Sequence, residues 1–176
     1  RAAGIHIQEA LKTGGGVANA DKDDIDQALD SLNKINSSNE GFEVAEVKRE
    51  LQSVMQNYFG VFRRGDYMEK GVAALGDIRE KVSNLHLKDK SMAFNTSRVE
   101  ALELQNLFEV AEATAIASFQ RTESRGAHAR DDFKERDDEN WLCHSLYDPI
   151  QKTLNKRDVN FAPAQVETFE PKVRTY

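Results

Sequence analysis

The sequence predicts a mainly α fold: an antiparallel three-helix bundle of the spectrin-repeat kind, followed by a long ordered loop and a short β-containing C-terminal tail. Three observations carry this. The three prolines are Pro149, Pro163 and Pro171, so nothing earlier carries the residue that most strongly breaks helices. Long stretches before residue 120 repeat apolar residues at intervals of three and four, the period of one helical face. From residue 121 that period stops, charges crowd together, and proline-punctuated segments follow.

Taken in order, residues 1–12 read as helix from the first position, which together with Arg1 in place of Met suggests a piece of a longer chain. TGGGVANA at 13–20 and NSSNEG at 36–41 are linker-like, being rich in small and turn-forming residues. A shorter helix is expected at 24–35 between them. The first long run is Val44, Val47, Leu51, Val54, Met55, Tyr58, Phe59 and Phe62. The second is Met68, Val72, Leu75, Ile78, Val82 and Leu85. The third opens at Val99 and continues through Leu102, Leu107, Phe108, Val110, Ile116 and Phe119, studded with alanines that let helices approach closely. Leu51, Met55, Leu75, Leu107 and Phe108 are the expected interior. Asp66 with Glu69, and Ser97 with Glu100, match the spacing of a capping box. The short Arg63-Arg64-Gly65 connection favours an antiparallel helix hairpin. Short strands are expected at 157–161 and 172–176. The implied organisation is 1–20 as a helix plus linker, 21–120 as the bundle, and 121–176 as a charged loop and tail packed on it.

Composition excludes several functions. With 24 basic against 30 acidic residues the net charge is -6, the wrong sign for neutralising phosphates, so nucleic acid is not an expected partner. The single cysteine, Cys143, cannot form an internal disulfide and suits a reducing compartment. No stretch approaches the roughly 18 apolar residues of a membrane span, and a soluble fold is expected.

Candidate chemistry is sparse. Thr13-Gly14-Gly15-Gly16 lacks the ending of a P-loop and the preceding strand of a dinucleotide fingerprint, so it reads as a linker. Asp21, Asp23, Asp24 and Asp26 lack the Gly and Glu of a calcium loop; acids there suit a helix start. His128, Cys143 and His144 lack zinc-site spacing, and Cys143 beside His144 has no evident orienting third group, so a packing cysteine is the better reading. His6 and His86 are single histidines in helical contexts. No catalytic, cofactor-binding or metal residue is assigned.

The segment that stands out is charged: Glu123, Arg125, His128, Arg130, Asp131, Asp132, Glu135, Arg136, Asp137, Asp138 and Glu139, interrupted by Phe133 and Trp141. Arginine alternating with carboxylate around Gly126 suits a network of bidentate ion pairs that pins a loop, with the aromatics as anchors. Glu123, Arg125, His128, Arg130, Asp132, Arg136 and Asp138 are the expected members. Perturbed acids in a catalytic cleft are the alternative.

These residues also carry a resemblance. Glu123-Ser124-Arg125-Gly126-Ala127-His128, then Arg130, Asp132-Phe133, Arg136-Asp137-Asp138, Trp141 and His144, and the closing Pro171-Lys172-Val173-Arg174-Thr175-Tyr176, resemble the C-terminal part of the succinate dehydrogenase and fumarate reductase flavoprotein family. The WLCH and PKVRTY segments resemble succinate dehydrogenases more than fumarate reductase or L-aspartate oxidase. Lys134 departs from the proline that relatives commonly have there, which bears on local loop rigidity. The resemblance covers the whole chain. It implies that residues 1–4 belong to a helix following the last FAD-contacting loop and that 24–120 form a three-helix C-terminal domain. It implies for the parent protein FAD, succinate oxidation in the citric acid cycle, and electrons passed through an iron-sulfur subunit to quinone. The implied partners are the FAD-binding domain of the same subunit, the iron-sulfur subunit and membrane-anchor subunits. The implied location is peripheral, on the cytoplasmic side of a bacterial inner membrane or the mitochondrial matrix side. None of the family's cofactor or substrate residues maps onto this chain. The rival class is a free-standing helical adaptor, and the equivalent domain of a fumarate reductase or L-aspartate oxidase is the nearer alternative.

Overall fold

The computed structural model describes residues 1–15, 19–164, 167–169 and 171–172, with the side chain of Ser31 also left out. The chain forms two compact units, Arg1–Ser37 and Ser38–Tyr176.

The first unit holds two helices, α1 (Ala2–Lys12) and α2 (Lys22–Ser37). Gly14 follows α1 in the left-handed region at φ 86°, where a side chain would be strained. Asp23 and Asp24 lie in the first turn of α2, where their charge complements the helix dipole, and Asp21 Oδ1 accepts the Asp23 amide. Part of the 13–20 linker lies outside the described residues.

The second unit is the bundle. Its chain order is β1 (Phe42–Glu43), α3 (Val44–Phe59), β2 (Phe62–Arg63), α4 (Gly65–Ser83), β3 (Leu85–His86), α5 (Thr96–Gln120) and β4 (Ala129–Arg130). A short α6 (Asp138–Trp141) then leads into a hairpin of β5 (Cys143–Asp148) and β6 (Thr153–Asp158). Helices α3, α4 and α5 pack against one another. Their directions follow from the strands: β1 pairs with β3 in parallel at one end, and β2 with β4 in parallel at the other. The start of α3 therefore lies beside the end of α4, and the ends of α3 and α5 lie together. The bundle runs up, down, up, with each end clasped by a two-residue bridge.

The core is a heptad-like seam. Met68, Gly71, Leu75, Ile78 and Val82 of α4 are buried, each three or four residues from the next. Ala101, Leu104, Phe108, Ala111, Ala115 and Ser118 repeat that spacing on α5, facing Val44, Val47, Leu51 and Phe59 of α3. Gly71 is needed for close approach, since a Cβ there would sit 2.5 Å from the Phe59 ring. The buried Glu112 carboxylate is ion-paired with Arg79 of α4 and accepts the Tyr147 hydroxyl at 3.1 Å, which ties the β5–β6 hairpin to the bundle.

Four expectations are corrected. Leu107 is 41% exposed, and the interior position one turn earlier belongs to Leu104, at 1%. Met55 is only half-buried. Neither capping box forms: α4 starts at Gly65 with no side-chain cap, while α5 is capped by Asn95, whose Oδ1 accepts the Arg98 amide at 2.9 Å. The tail strands are β5 and β6, a hairpin that turns at 149–152 where Pro149 stands, so the strand expected at 157–161 lies earlier and overlaps β6 only at Arg157 and Asp158. The strand expected at 172–176 falls almost wholly outside the described residues. Among the described residues no helix is long and apolar enough to cross a membrane.

Candidate functional site

The loop from 121 to 142 starts where α5 ends and closes over that end of the bundle. Arg125 and His128 exchange backbone hydrogen bonds of 2.8 and 3.0 Å around Gly126, whose φ of 58° favours glycine. That turn brings the charged side chains of both arms together.

Glu123 is the centre, with 0% exposure. Its Oε1 accepts Arg121 Nη1 at 2.6 Å and Arg125 Nε at 2.7 Å, and its Oε2 accepts Arg125 Nη2 at 3.0 Å and the Asp137 amide at 2.8 Å. Burial pushes this carboxyl up, but the hydrogen bonds from Arg125, the Asp137 amide and Arg121 outweigh it, and the net displacement is downward. Glu123 is therefore a carboxylate, held by charge-assisted bonds of the strong class. Arg125 also donates to Asp138 Oδ1 at 2.6 Å, and Arg136 pairs with Asp138 Oδ2 at 2.8 Å. Arg121 reaches further, donating to the carbonyls of Trp141 and Cys143 at 2.9 and 2.7 Å while its guanidinium lies 5.0 Å from the Trp141 ring centroid.

Arg130 and Asp132 form a second centre at the helix ends. The Arg130 guanidinium, 4% exposed, donates through Nη1 to the carbonyls of Ser118, Phe119 and Arg121, groups that the end of α5 leaves without helical partners. Its other nitrogens grip both oxygens of Asp132 at 2.7 and 2.8 Å. Asp132 Oδ2 in turn accepts the Gly65 amide at 2.8 Å, the first residue of α4. A cation thus meets the negative end of α5 and an anion the positive end of α4, joined through one ion pair. The Arg130 hydrogen bonds, helped by the Gly65 amide, hold Asp132 down at about 2.

His128 is half-buried between these centres. Its Nδ1 lies 2.7 Å from Arg63 Nη1, and its Nε2 is 3.1 Å from the Arg121 carbonyl. A guanidinium can only donate, so Nδ1 accepts and Nε2 carries the proton: the ring is neutral. Burial lowers its pKa, and Arg63, Arg130 and Arg121 lower it further against the Arg121 carbonyl.

The structure thus places Glu123, Arg125, Arg136 and Asp138 in one network, Arg130 and Asp132 in another, and His128 between them. Arg63, Arg121 and the Asp137 amide also belong, and the sequence reading omitted them. Arg63 and Arg121 close the ends of α3 and α5; an arginine one to four residues beyond a helix is the signal that would have found them. Among the described residues no group of His, Cys, Asp and Glu could hold a metal ion. Chemically the arrangement saturates its own charges, and every guanidinium described here is turned to a carboxylate or carbonyl, or in Arg63 also to an imidazole.

A family model described as the fumarate reductase flavoprotein C-terminal region matches residues 48–176. A succinate dehydrogenase flavoprotein subunit of Coxiella burnetii is 43% identical over 174 residues, covering 99% of this chain and 30% of the relative. The mitochondrial succinate dehydrogenase flavoprotein subunit of Oryza sativa is 32% identical, covering 100% of this chain and 29% of its own length. Among solved structures, an E. coli quinol fumarate reductase superposes with a TM-score of 0.73 at 28% identity over 88% of this chain and 28% of that one. The chain spans under a third of the length of these curated relatives.

Proposed function

Because the chain belongs to the family of C-terminal domains of succinate dehydrogenase and fumarate reductase flavoproteins, we propose that it is the non-catalytic bracing domain of a succinate dehydrogenase flavoprotein subunit. In this reading the parent oxidises succinate to fumarate, FAD accepts the hydride, and electrons leave through an iron-sulfur subunit to quinone. The flavin is held by the rest of the flavoprotein. Residues here do not fit it: Thr13 and Gly14 follow a helix, whereas a dinucleotide fingerprint follows a strand. The arginines of 121–138 face carboxylates and carbonyls, so no step of the reaction is routed through this chain.

The observation that carries the proposal is the buried Glu123, its four hydrogen bonds fixing a long loop on the bundle, together with identity that extends across the whole chain. A free-standing adaptor bundle has no use for so ordered a loop. The 43% identity to a succinate dehydrogenase subunit favours that direction of reaction over fumarate reduction. The further proposals are a division into 1–20, 21–120 and 121–176, a structural role for the seven ionic residues, assembly with iron-sulfur and membrane-anchor subunits, and a peripheral position on the cytoplasmic or matrix face.

The test is a chimera in which this chain replaces the matching C-terminal segment of the Coxiella burnetii subunit, with its partner subunits co-expressed. The expected product retains flavin, captures the iron-sulfur subunit and oxidises succinate faster than it reduces fumarate. The chain alone should be colourless and unaffected by dicarboxylates. A chimera that folds yet recruits no partner, or flavin retained by the isolated chain, overturns the proposal.

A further inference from the structure

We infer that His128 is an acid-sensitive latch: protonation of its ring expels Arg63 and opens the β2–β4 clasp, loosening one end of the bundle while the helices persist. The geometry carries it. Nδ1 is an acceptor only in the neutral ring, and it is filled by Arg63 Nη1 at 2.7 Å. A proton there sets two cationic donors against each other at hydrogen-bond distance. The Nε2 bond to the Arg121 carbonyl survives, so one specific contact is lost.

That contact holds a small structure. The clasp is two residue pairs, Phe62 with Ala129 and Arg63 with Arg130, continued by the Asp131 amide donating to the Arg63 carbonyl at 2.8 Å. Arg63 is also the residue that closes α3, donating through Nε to the Phe59 and Gly60 carbonyls. The charges that act on the ring are cations: Arg63 from β2, Arg130 from β4 and Arg121 from the end of α5. Lys134, Arg136, Asp131, Glu135 and Asp138 line the same cleft, and Asp138 is occupied by Arg125 and Arg136. No hydrogen bond joins any of these acids to the ring to offset a new positive charge.

The sign follows from linkage. A histidine whose folded pKa is depressed stabilises the clasp fully above its unfolded value of 6.5 and loses that contribution as pH falls through the folded value. The acids that hold the neighbouring network, Glu123 and Asp138, are themselves displaced downward from 4.5 and 3.8, so they start from lower ordinary values than the imidazole.

The experiment is nitrogen-detected NMR of the whole chain from pH 7.5 to 4.5, with amide exchange, corrected for intrinsic rates, followed in parallel. The expected ring carries its proton on Nε2 at neutral pH. As it titrates, exchange at Phe62, Arg63 and Asp131 should accelerate, by roughly tenfold for each unit by which the folded ring resists protonation, with mid-α4 and mid-α5 unchanged. His128→Asn, which keeps an acceptor without a titrating group, should make the clasp insensitive across the same window. A proton found on Nδ1 at neutral pH, or exchange that stays flat while the ring titrates, overturns the inference. Should the variant not fold, the native titration decides alone.

Discussion

Replacing Glu123 by Gln tests whether the buried carboxylate holds the loop. The amide keeps the shape but removes the charge and presents an NH2 group to donors that need an acceptor. Four hydrogen bonds end on this carboxylate, three of them from the guanidiniums of Arg121 and Arg125. Breaking a fully buried ion pair at one end costs about 3 to 5 kcal/mol. The arginine side chains retain 13% and 26% of their exposure, so water recovers part of that loss and about 3 kcal/mol is expected. In a unit of this size that lowers Tm by roughly 6 to 12 °C. The chain has one tryptophan, Trp141, and it lies in the loop, so fluorescence reports the loop and far-ultraviolet circular dichroism reports the helices. Urea titration should show the fluorescence transition moving first and farther than the helical one. A loss below about 0.5 kcal/mol, the range of ordinary surface changes, refutes the reasoning.

Three further outcomes follow. Leu104→Ala should cost about 2 to 5 kcal/mol and Leu107→Ala under about 0.5 kcal/mol by denaturant titration; the reverse order would place the seam of α5 on the wrong face. Gly71→Ala should destabilise by about 1 to 3 kcal/mol, because the new Cβ would sit 2.5 Å from the buried Phe59 ring and 2.6 Å from the Tyr58 Cβ, and an unchanged midpoint would show that α3 and α4 are not so close. Glu123, Asp132, Asp137 and Asp138 all have depressed pKa values, so their stabilisation is present above their unfolded values near 4.5 and 3.8 and is lost as pH falls toward the value of about 2 for Asp132. Asp132→Asn should flatten the lowest part of that acid transition in circular dichroism, and an unaltered profile would remove Asp132 from the account.

The sequence showed the helices clearly and their faces less so. On α4 the largest apolar residues are also the interior ones, and Met68, Leu75, Ile78 and Val82 could be read directly. On α5 the seam runs through Ala101, Leu104, Phe108, Ala111, Ala115 and Ser118, while Val99, Leu107 and Val110 point outward, so the expectation held for Phe108 and failed for Leu107, because small residues fill most of the seam. The capping boxes misled because the Ser/Asp-x-x-Glu spacing is common on any charged helix surface; Asn95 was the stronger signal. The bridges β1–β3 and β2–β4 are two residues each, too short to carry a period. In the loop, alternating charge marked the carboxylates and most of their partners. What it could not reveal was that Arg130 and Asp132 serve the ends of α5 and α4, since those contacts join Asp132 to Gly65, distant in sequence.

The contacts of Arg130 set an order on synthesis. The last carbonyls of α5 and the first amide of α4 find their partners in a pair that leaves the ribosome only after residue 132, well behind the helices it completes. A nascent chain can gather its apolar seam earlier, yet both helix tips stay open to solvent until that pair arrives. The same holds for any truncation. Cutting at residue 120, where helical periodicity stops, would release a bundle with frayed ends and a bare Gly65 amide, whereas a cut beyond Trp141 retains the pair, Glu123 and its donors.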